Sequence, residues 1–309
     1  MKTFYSLLTA ILLFVSAANA QINNGSIWYE NYNRLTCTGV SGNTLNFDLA
    51  MWGDDGEKFS LIKSSDNNFV MQARDEYSLF KKIKTVEYRE VENFKVLLFK
   101  DSKGNILYTF EQTNDKMWEA QILKGFHYML NGTYVDEKGT KYTISGDEFI
   151  TGGKTLHFTL DPQGYYIMAM SDDKMYWWEP STTGINIYHV KQGEFREEQG
   201  ELWHKLKNVS PEGRWTFLSS QIVPANFMWR YPAGMVRIMR NEIYARHGYV
   251  FNSADLKEYF SKQPWYKPLN NNALVKLNAI ETLNVDILKA NETVVREGSD
   301  DQEIEDGLE

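Results

Sequence analysis

The side chains best suited to chemistry are one cysteine and five histidines. Cys37 could act as a thiol nucleophile, but Leu35, Thr36, Thr38 and Val40 around it read as a β core, so an inert packed thiol is expected. His127, His157, His189 and His204 stand singly among β-forming residues, without the spacing that metal ligands need. No G-x-S-x-G elbow, H-E-x-x-H motif, phosphate-cradling glycine loop or dinucleotide fingerprint occurs. The acid pairs Asp54-Asp55 and Asp172-Asp173 fall in turn sequences, where they serve as a hydrolytic pair only if the fold makes them converge. The sequence therefore assigns no catalytic residue, no metal ligand and no cofactor site.

The remaining histidine, His247, belongs to a stretch specified almost residue by residue, Arg240–Pro268. With Pro232 as first helical residue, Val236, Met239, Ile243 and His247 share one narrow stripe, with Arg240 at its edge. A charge on an apolar stripe needs a partner, and Glu281 and Asn284 are the polar residues a following helix would supply. An internal Arg240–Glu281–His247 network fixing helix register is expected; the other reading is a ligand site of Arg240, Arg246 and His247. Gly248 provides the left-handed residue that closes the helix. Asn252 and Asp255 suggest the cap of a short second helix through Leu256, Tyr259 and Phe260, which Pro264 stops. Trp265-Tyr266 then lie in a turn between prolines. Asn270-Asn271-Asn272 offers another cap, for a longer helix from Leu274 to Ala290 that buries Leu277, Ile280, Ile287 and Leu288.

Tyr244-Ala245-Arg246-His247-Gly248 closely resembles the motif of the YARHG domain, a bacterial extracytoplasmic module. The likeness extends through Arg240-Asn241-Glu242-Ile243, Phe251, Phe260 and Trp265-Tyr266, and reaches the closing segment Leu277–Leu288. It covers about the last quarter of the chain. The resemblance implies a small, mostly helical, exported domain, often joined to other modules. It implies no known activity, so no catalytic role is carried over.

Ahead of this unit, short apolar or alternating runs recur about every ten residues between Ile27 and Lys207, separated by Gly, Asp, Asn and Ser. Thr44–Met51, Lys58–Lys63, Asn68–Ala73, Lys95–Lys100 and Ile106–Glu111 form one series; a second begins after Trp118–Phe126 and runs to Leu202–Lys205. Glu137-Lys138-Gly139 and Asp161-Pro162-Gln163-Gly164 are hairpin turns. This spacing predicts antiparallel meanders closing into barrels or sandwiches. Thr44–Leu49 is echoed by Thr155–Leu160, which hints at a duplicated unit. Tyr165-Tyr166 and Tyr176-Trp177-Trp178 are consecutive on strands, so one of Trp177 and Trp178 must leave the core for an aromatic contact surface unless a second layer covers it.

Met1–Ala20, with Lys2, a short apolar run and Ala18-Asn19-Ala20, reads as a secretory signal peptide. No later run is long enough to span a bilayer, and one cysteine precludes an internal disulfide. A formal charge of −8 argues against nucleic acid and against unaided binding to anionic lipid. The expected organisation is α+β and multidomain: signal peptide 1–20, a first β-rich domain 21–125, and a second β-rich module 126–207, which the first could continue. A three-helix domain follows at 208–292, entered through the linker Asn208–Gly213, and 293–309 is an acidic solvated tail. The functional expectation is an exported, periplasmic or extracellular, non-catalytic interaction protein. Its partner would be cell-wall glycan or an envelope protein. The alternative is a secreted hydrolase of wall or extracellular polymer.

Overall fold

The computed structural model describes residues 22–292, excluding 31–32, 52–53, 73–77, 114–117, 162–166, 172–173, 193–196, 226–230 and 232. The expected signal peptide, the acidic tail, Tyr165-Tyr166, Asp172-Asp173 and Pro232 lie outside these residues. Strands β1 (Ile27–Glu30), β2 (Asn33–Ser41), β3 (Thr44–Met51), β4 (Asp54–Ser65), β5 (Asn68–Met71), β6 (Thr85–Val91), β7 (Phe94–Lys100) and β8 (Ile106–Thr113) pair antiparallel in chain order. Strand β1 pairs back onto β8, closing an eight-stranded barrel. A barrel of this size is filled by its own side chains. Cys37 faces Phe47 across β2–β3, and both are buried. Phe80 plugs the interior, with its ring 4.8 Å from Phe99 and 5.2 Å from Phe59. In β7, Leu97 and Phe99 belong to the interior, whereas Val96 and Leu98 join the core shared with the C-terminal helices. That strand is therefore apolar on both faces rather than alternating.

Helix α1 (Trp118–Leu130) leads to a second barrel. Its strands are β9 (Gly132–Val135), β10 (Lys141–Ser145), β11 (Glu148–Thr151), β12 (Lys154–Leu160), β13 (Ile167–Met170), β14 (Met175–Pro180), β15 (Gly184–Gln192) and β16 (Glu197–Asn208). They too form an antiparallel meander, closed by pairing of β9 with both β10 and β16. The short echo noted in the sequence falls on β3, the third strand of its barrel, and on β12, the fourth of its own, so it does not align the two in chain order. Helix α1 lies over one end of the second barrel: Phe126 meets Trp178 edge-on at 5.5 Å, and the Tyr134 hydroxyl donates to the Leu130 carbonyl at 2.7 Å. At that end β15 and β16 approach so closely that a Cβ on Gly184 would sit 1.8 Å from the Leu206 carbonyl oxygen.

Residues beyond Asn208 do not form a free linker. Val209 N–H donates to Thr133 O at 2.7 Å, and Ser210 Oγ accepts from Thr133 N–H at 3.0 Å, fastening the segment to β9. A 3-10 turn (Thr216–Ser219) follows, then α2 (Ala233–Arg246), α3 (Ala254–Ser261), a 3-10 turn (Asn272–Leu274) and α4 (Ala279–Asn291). Met235, Met239 and Ile243 of α2 share a core with Ile280, Leu283 and Ile287 of α4 and with Val96, Leu98 and Ile106 of the first barrel. Two boundaries differ from the sequence reading. The N-cap of α3 is Ser253 rather than Asn252. Helix α4 starts at Ala279 rather than Leu274, because Asn278 and Glu281 form a capping box, while Asn271 caps only the 3-10 turn before it.

Candidate functional site

Helix α2 ends where the motif expects it. Gly248 has φ +77°, Tyr249 N–H donates back to Tyr244 O at 3.1 Å, and a Cβ on Gly248 would meet Lys267 O at 2.7 Å. This termination puts Arg246 and His247 at the C-terminal end of α2, opposite the first turn of α4. His247 Nε2 lies 2.9 and 2.8 Å from the two carboxylate oxygens of Glu281. Glu281 is almost fully enclosed, with 3 % of its side chain exposed, against 34 % for His247. Burial acts to raise the Glu281 pKa, but hydrogen bonds from Ser219 Oγ, Asn278 N–H and His247 outweigh it and hold the carboxyl below its usual range. Arg246 donates to Ser219 Oγ at 2.7 Å and to Trp215 O at 3.2 Å, with Glu281 at 4.0 Å. One turn earlier, Glu242 accepts from Trp215 N–H at 2.6 Å, and its complete burial raises its pKa.

The arginine beside Glu281 is thus Arg246. Arg240 lies about one and two-thirds helical turns before it, and its guanidinium binds Glu292, just past α4, instead of the expected Glu281. Asn284 does not join these ions. It is fully buried, accepts from Val223 N–H at 2.9 Å, and donates to Leu218 O and Gln221 O at 2.8 and 2.7 Å. The Arg246–Ser219–Glu281–His247 set superficially resembles a nucleophilic triad, but the order is wrong. In a triad the histidine stands between hydroxyl and carboxylate. Here Glu281 stands between them, accepting from both Ser219 and His247, so the hydroxyl faces a carboxylate and not the imidazole. The set locks the 3-10 turn against α2 and α4. Tyr244, Trp265 and Tyr266 pack with Phe251 and Phe260 in a separate aromatic cluster, where the Tyr266 hydroxyl donates to Tyr249 O at 2.7 Å.

The second barrel supplies a different kind of site. Trp178 points inward and is fully buried; Trp177 is half-buried on the outer face. More conspicuous is Trp203, which sequence reasoning missed. The register of β15–β16 shifts between Ile187 and Tyr188, leaving Trp203 as the extra residue of a bulge beside His204. Its ring stacks on Tyr176 at 4.1 Å and lies 4.2 Å from His204 and 6.0 Å from His189. Tyr142 packs on His204 at 5.0 Å. These residues gather at the barrel end opposite α1, where β14 and β16 also carry exposed Met175 and Leu202. Burial holds the His204 pKa below its usual value, partly opposed by Asp136. Asp136 itself accepts from Lys138 N–H, Thr140 N–H and the Tyr142 hydroxyl at 2.8–3.0 Å, the bonds of a turn-forming residue. Among the described residues no group of three or more metal-ligating side chains occurs, and no helix is long and apolar enough to cross a membrane.

Residues 220–293 match the YARHG domain family, a domain associated with exported proteins. The match takes in α2, α3, α4, Arg246, His247 and Glu281. It begins one residue after Ser219 and leaves out both barrels. No curated protein and no solved structure matches the chain.

Proposed function

We propose that this YARHG-domain protein is an exported, non-catalytic binding protein of the periplasm or cell exterior, and that its contact surface for glycan is the open mouth of the second barrel. The observation that carries this reading is the Trp203–Tyr176–His204 stack. A pyranose ring has an apolar face of C–H groups that packs on an aromatic ring, while imidazole nitrogens at the edge can bond its hydroxyls. Half-buried Trp203 and exposed His189 offer that combination. The YARHG unit acts as the buttress: its ionic network holds the segment that closes the other end of the barrel, leaving the aromatic end to solvent.

The test is a glycan-array and peptidoglycan-retention measurement on the full chain, with Trp203→Ala and His189→Ala variants. Removing a stacking ring should weaken binding by roughly tenfold or more. Retention on no glycan, or unchanged retention by Trp203→Ala, overturns the assignment of the mouth. Turnover of any retained polymer overturns the non-catalytic reading.

A further inference from the structure

We propose a second, separate site: the groove between α1 and the segment 214–221 binds a sugar that carries a carboxylate. The groove has a volume of about 600 Å³, within the range usual for ligand clefts. One wall is a face of α1 carrying Lys124 and Tyr128, continued by Asn131 just past its end. The other wall comes from Arg214, Thr216 and Phe217. The Tyr128 and Phe217 rings are stacked nearly parallel, 4° apart in plane and 4.5 Å between centroids, so the two walls meet through an aromatic pair.

Its charge distinguishes it. The chain as a whole carries −8, yet among the described residues the groove is lined by two cations and no carboxylate. Lys124 Nζ stands 5.8 Å from the Tyr128 centroid and forms a loose, partly exposed ion pair with Glu111 at 3.9 Å, longer than a hydrogen bond. Arg214 is 7 % exposed, is spent on the carbonyls of Ser181, Thr182 and Gly184, and still has an Nε–H without a partner among the described residues. It supplies fixed positive charge, and Lys124 supplies the reachable ammonium. Tyr128 donates its hydroxyl to Gln221 Oε1 at 2.9 Å, which orients the Gln221 amide with its nitrogen available to donate. Exposed Thr216 adds a hydroxyl. An aromatic pair to meet the apolar part of a ring, neutral donors and acceptors for hydroxyls, and a cation at one end fit an acidic sugar better than a bare anion, which would make no use of the aromatic pair.

The carboxylate could sit on the ring carbon of a hexuronate or on the lactyl ether of a muramic acid, so both probes are needed. Trigalacturonate and the N-acetylglucosaminyl–N-acetylmuramic acid disaccharide are titrated calorimetrically into the full chain, with galactotriose and chitobiose as uncharged counterparts. At least one acidic saccharide should bind saturably, about tenfold or more tighter than its neutral counterpart. Lys124→Gln should weaken it by a similar factor, and Thr216→Trp, a substitution at an exposed position that fills the groove, should abolish it. Trp203→Ala should leave it unchanged. Whichever acidic probe binds identifies the source of the carboxylate. The proposal is overturned if neither acidic saccharide binds, if neutral counterparts bind equally, or if Lys124→Gln and Thr216→Trp bind as the parent does. Competition by inorganic phosphate at equal strength, or loss of binding in Trp203→Ala, also overturns it.

Discussion

Asn284→Ala is the substitution whose cost follows most directly from the geometry. The Asn284 amide is fully enclosed and makes three bonds to one backbone segment, at 2.9, 2.8 and 2.7 Å. Truncation leaves Val223 N–H and the Leu218 and Gln221 carbonyls unsatisfied where water cannot reach. A buried orphaned group costs about 1–3 kcal/mol, so three partly relaxing groups should cost roughly 3–5 kcal/mol. Arg240→Met is the control: its pair with Glu292 keeps 22 % and 17 % of the side chains exposed. Partly solvated pairs of this kind contribute about 1 kcal/mol or less. Urea unfolding, followed by far-UV circular dichroism and tryptophan fluorescence, should separate the two variants. Hydrogen exchange should show protection at the Val223 amide falling in Asn284→Ala but not in Arg240→Met. A loss under about 1 kcal/mol with the Val223 amide still protected would refute the view that Asn284 holds the 3-10 segment.

Glu281 and Glu242 should give opposite pH signatures. The folded-state pKa of Glu281 is depressed below 4.5, so its stabilisation is complete above that value and lost as pH falls through the folded pKa. Glu281→Gln should therefore flatten the acid limb of a stability–pH curve; an unaltered limb counts against the network. The Glu242 pKa is raised above 4.5 by burial, so its contribution is full below 4.5 and fades as pH rises through the folded value. Glu242→Gln, which keeps an oxygen for Trp215 N–H, should gain stability relative to the parent as pH rises above the folded-state pKa of Glu242, and an unchanged pH dependence counts against its burial as the cause. Gly184→Ala should unfold the second barrel or shift β15 from β16, because its Cβ would overlap the Leu206 carbonyl at 1.8 Å; a melting temperature within a degree or two of the parent's would contradict the close strand approach.

Local signals were legible and distant pairings were not. Gly248 as helix stop and the stripe Val236–Met239–Ile243 are local, and the structure shows both. Barrel closure depends on β1 meeting β8 and β9 meeting β16, pairings set by the accumulated register of every hairpin between. Turn spacing predicts meanders closing into barrels or sandwiches, but not which strands meet at each seam. The capping box Asn278–Glu281 was present in the sequence and marks the start of α4, but the asparagine run ahead of it gave a competing signal. In α1, Leu123, Phe126 and Leu130 recur at helical spacing between two strand series, and that period was the missed clue. Helical period pairs Arg240 with Glu281, whereas its actual partner, Glu292, lies just outside the periodic segment. Trp203 could not be found by alternation, since a bulge breaks the period that would have located it.

The two ends of the second barrel explain why binding chemistry should be sought where it is proposed. A closed barrel has no edge strands to offer a partner, so its lateral backbone is satisfied and its distinctive surfaces are its ends. At one end α1 supplies Phe126 against Trp178, and Arg214 ties down the carbonyls of Ser181, Thr182 and Gly184. Arg214 is in turn fixed by the neighbouring Trp215, whose backbone bonds both Glu242 and Arg246 of the YARHG unit. Closing that end places the 214–221 segment beside α1 and thereby builds the cationic groove. It also leaves the bulge at Trp203 at the far end, away from this packing. The helical domain thus bears on both surfaces without contributing a reacting group to either: it positions the wall of one and, by occupying the opposite end, leaves the other open.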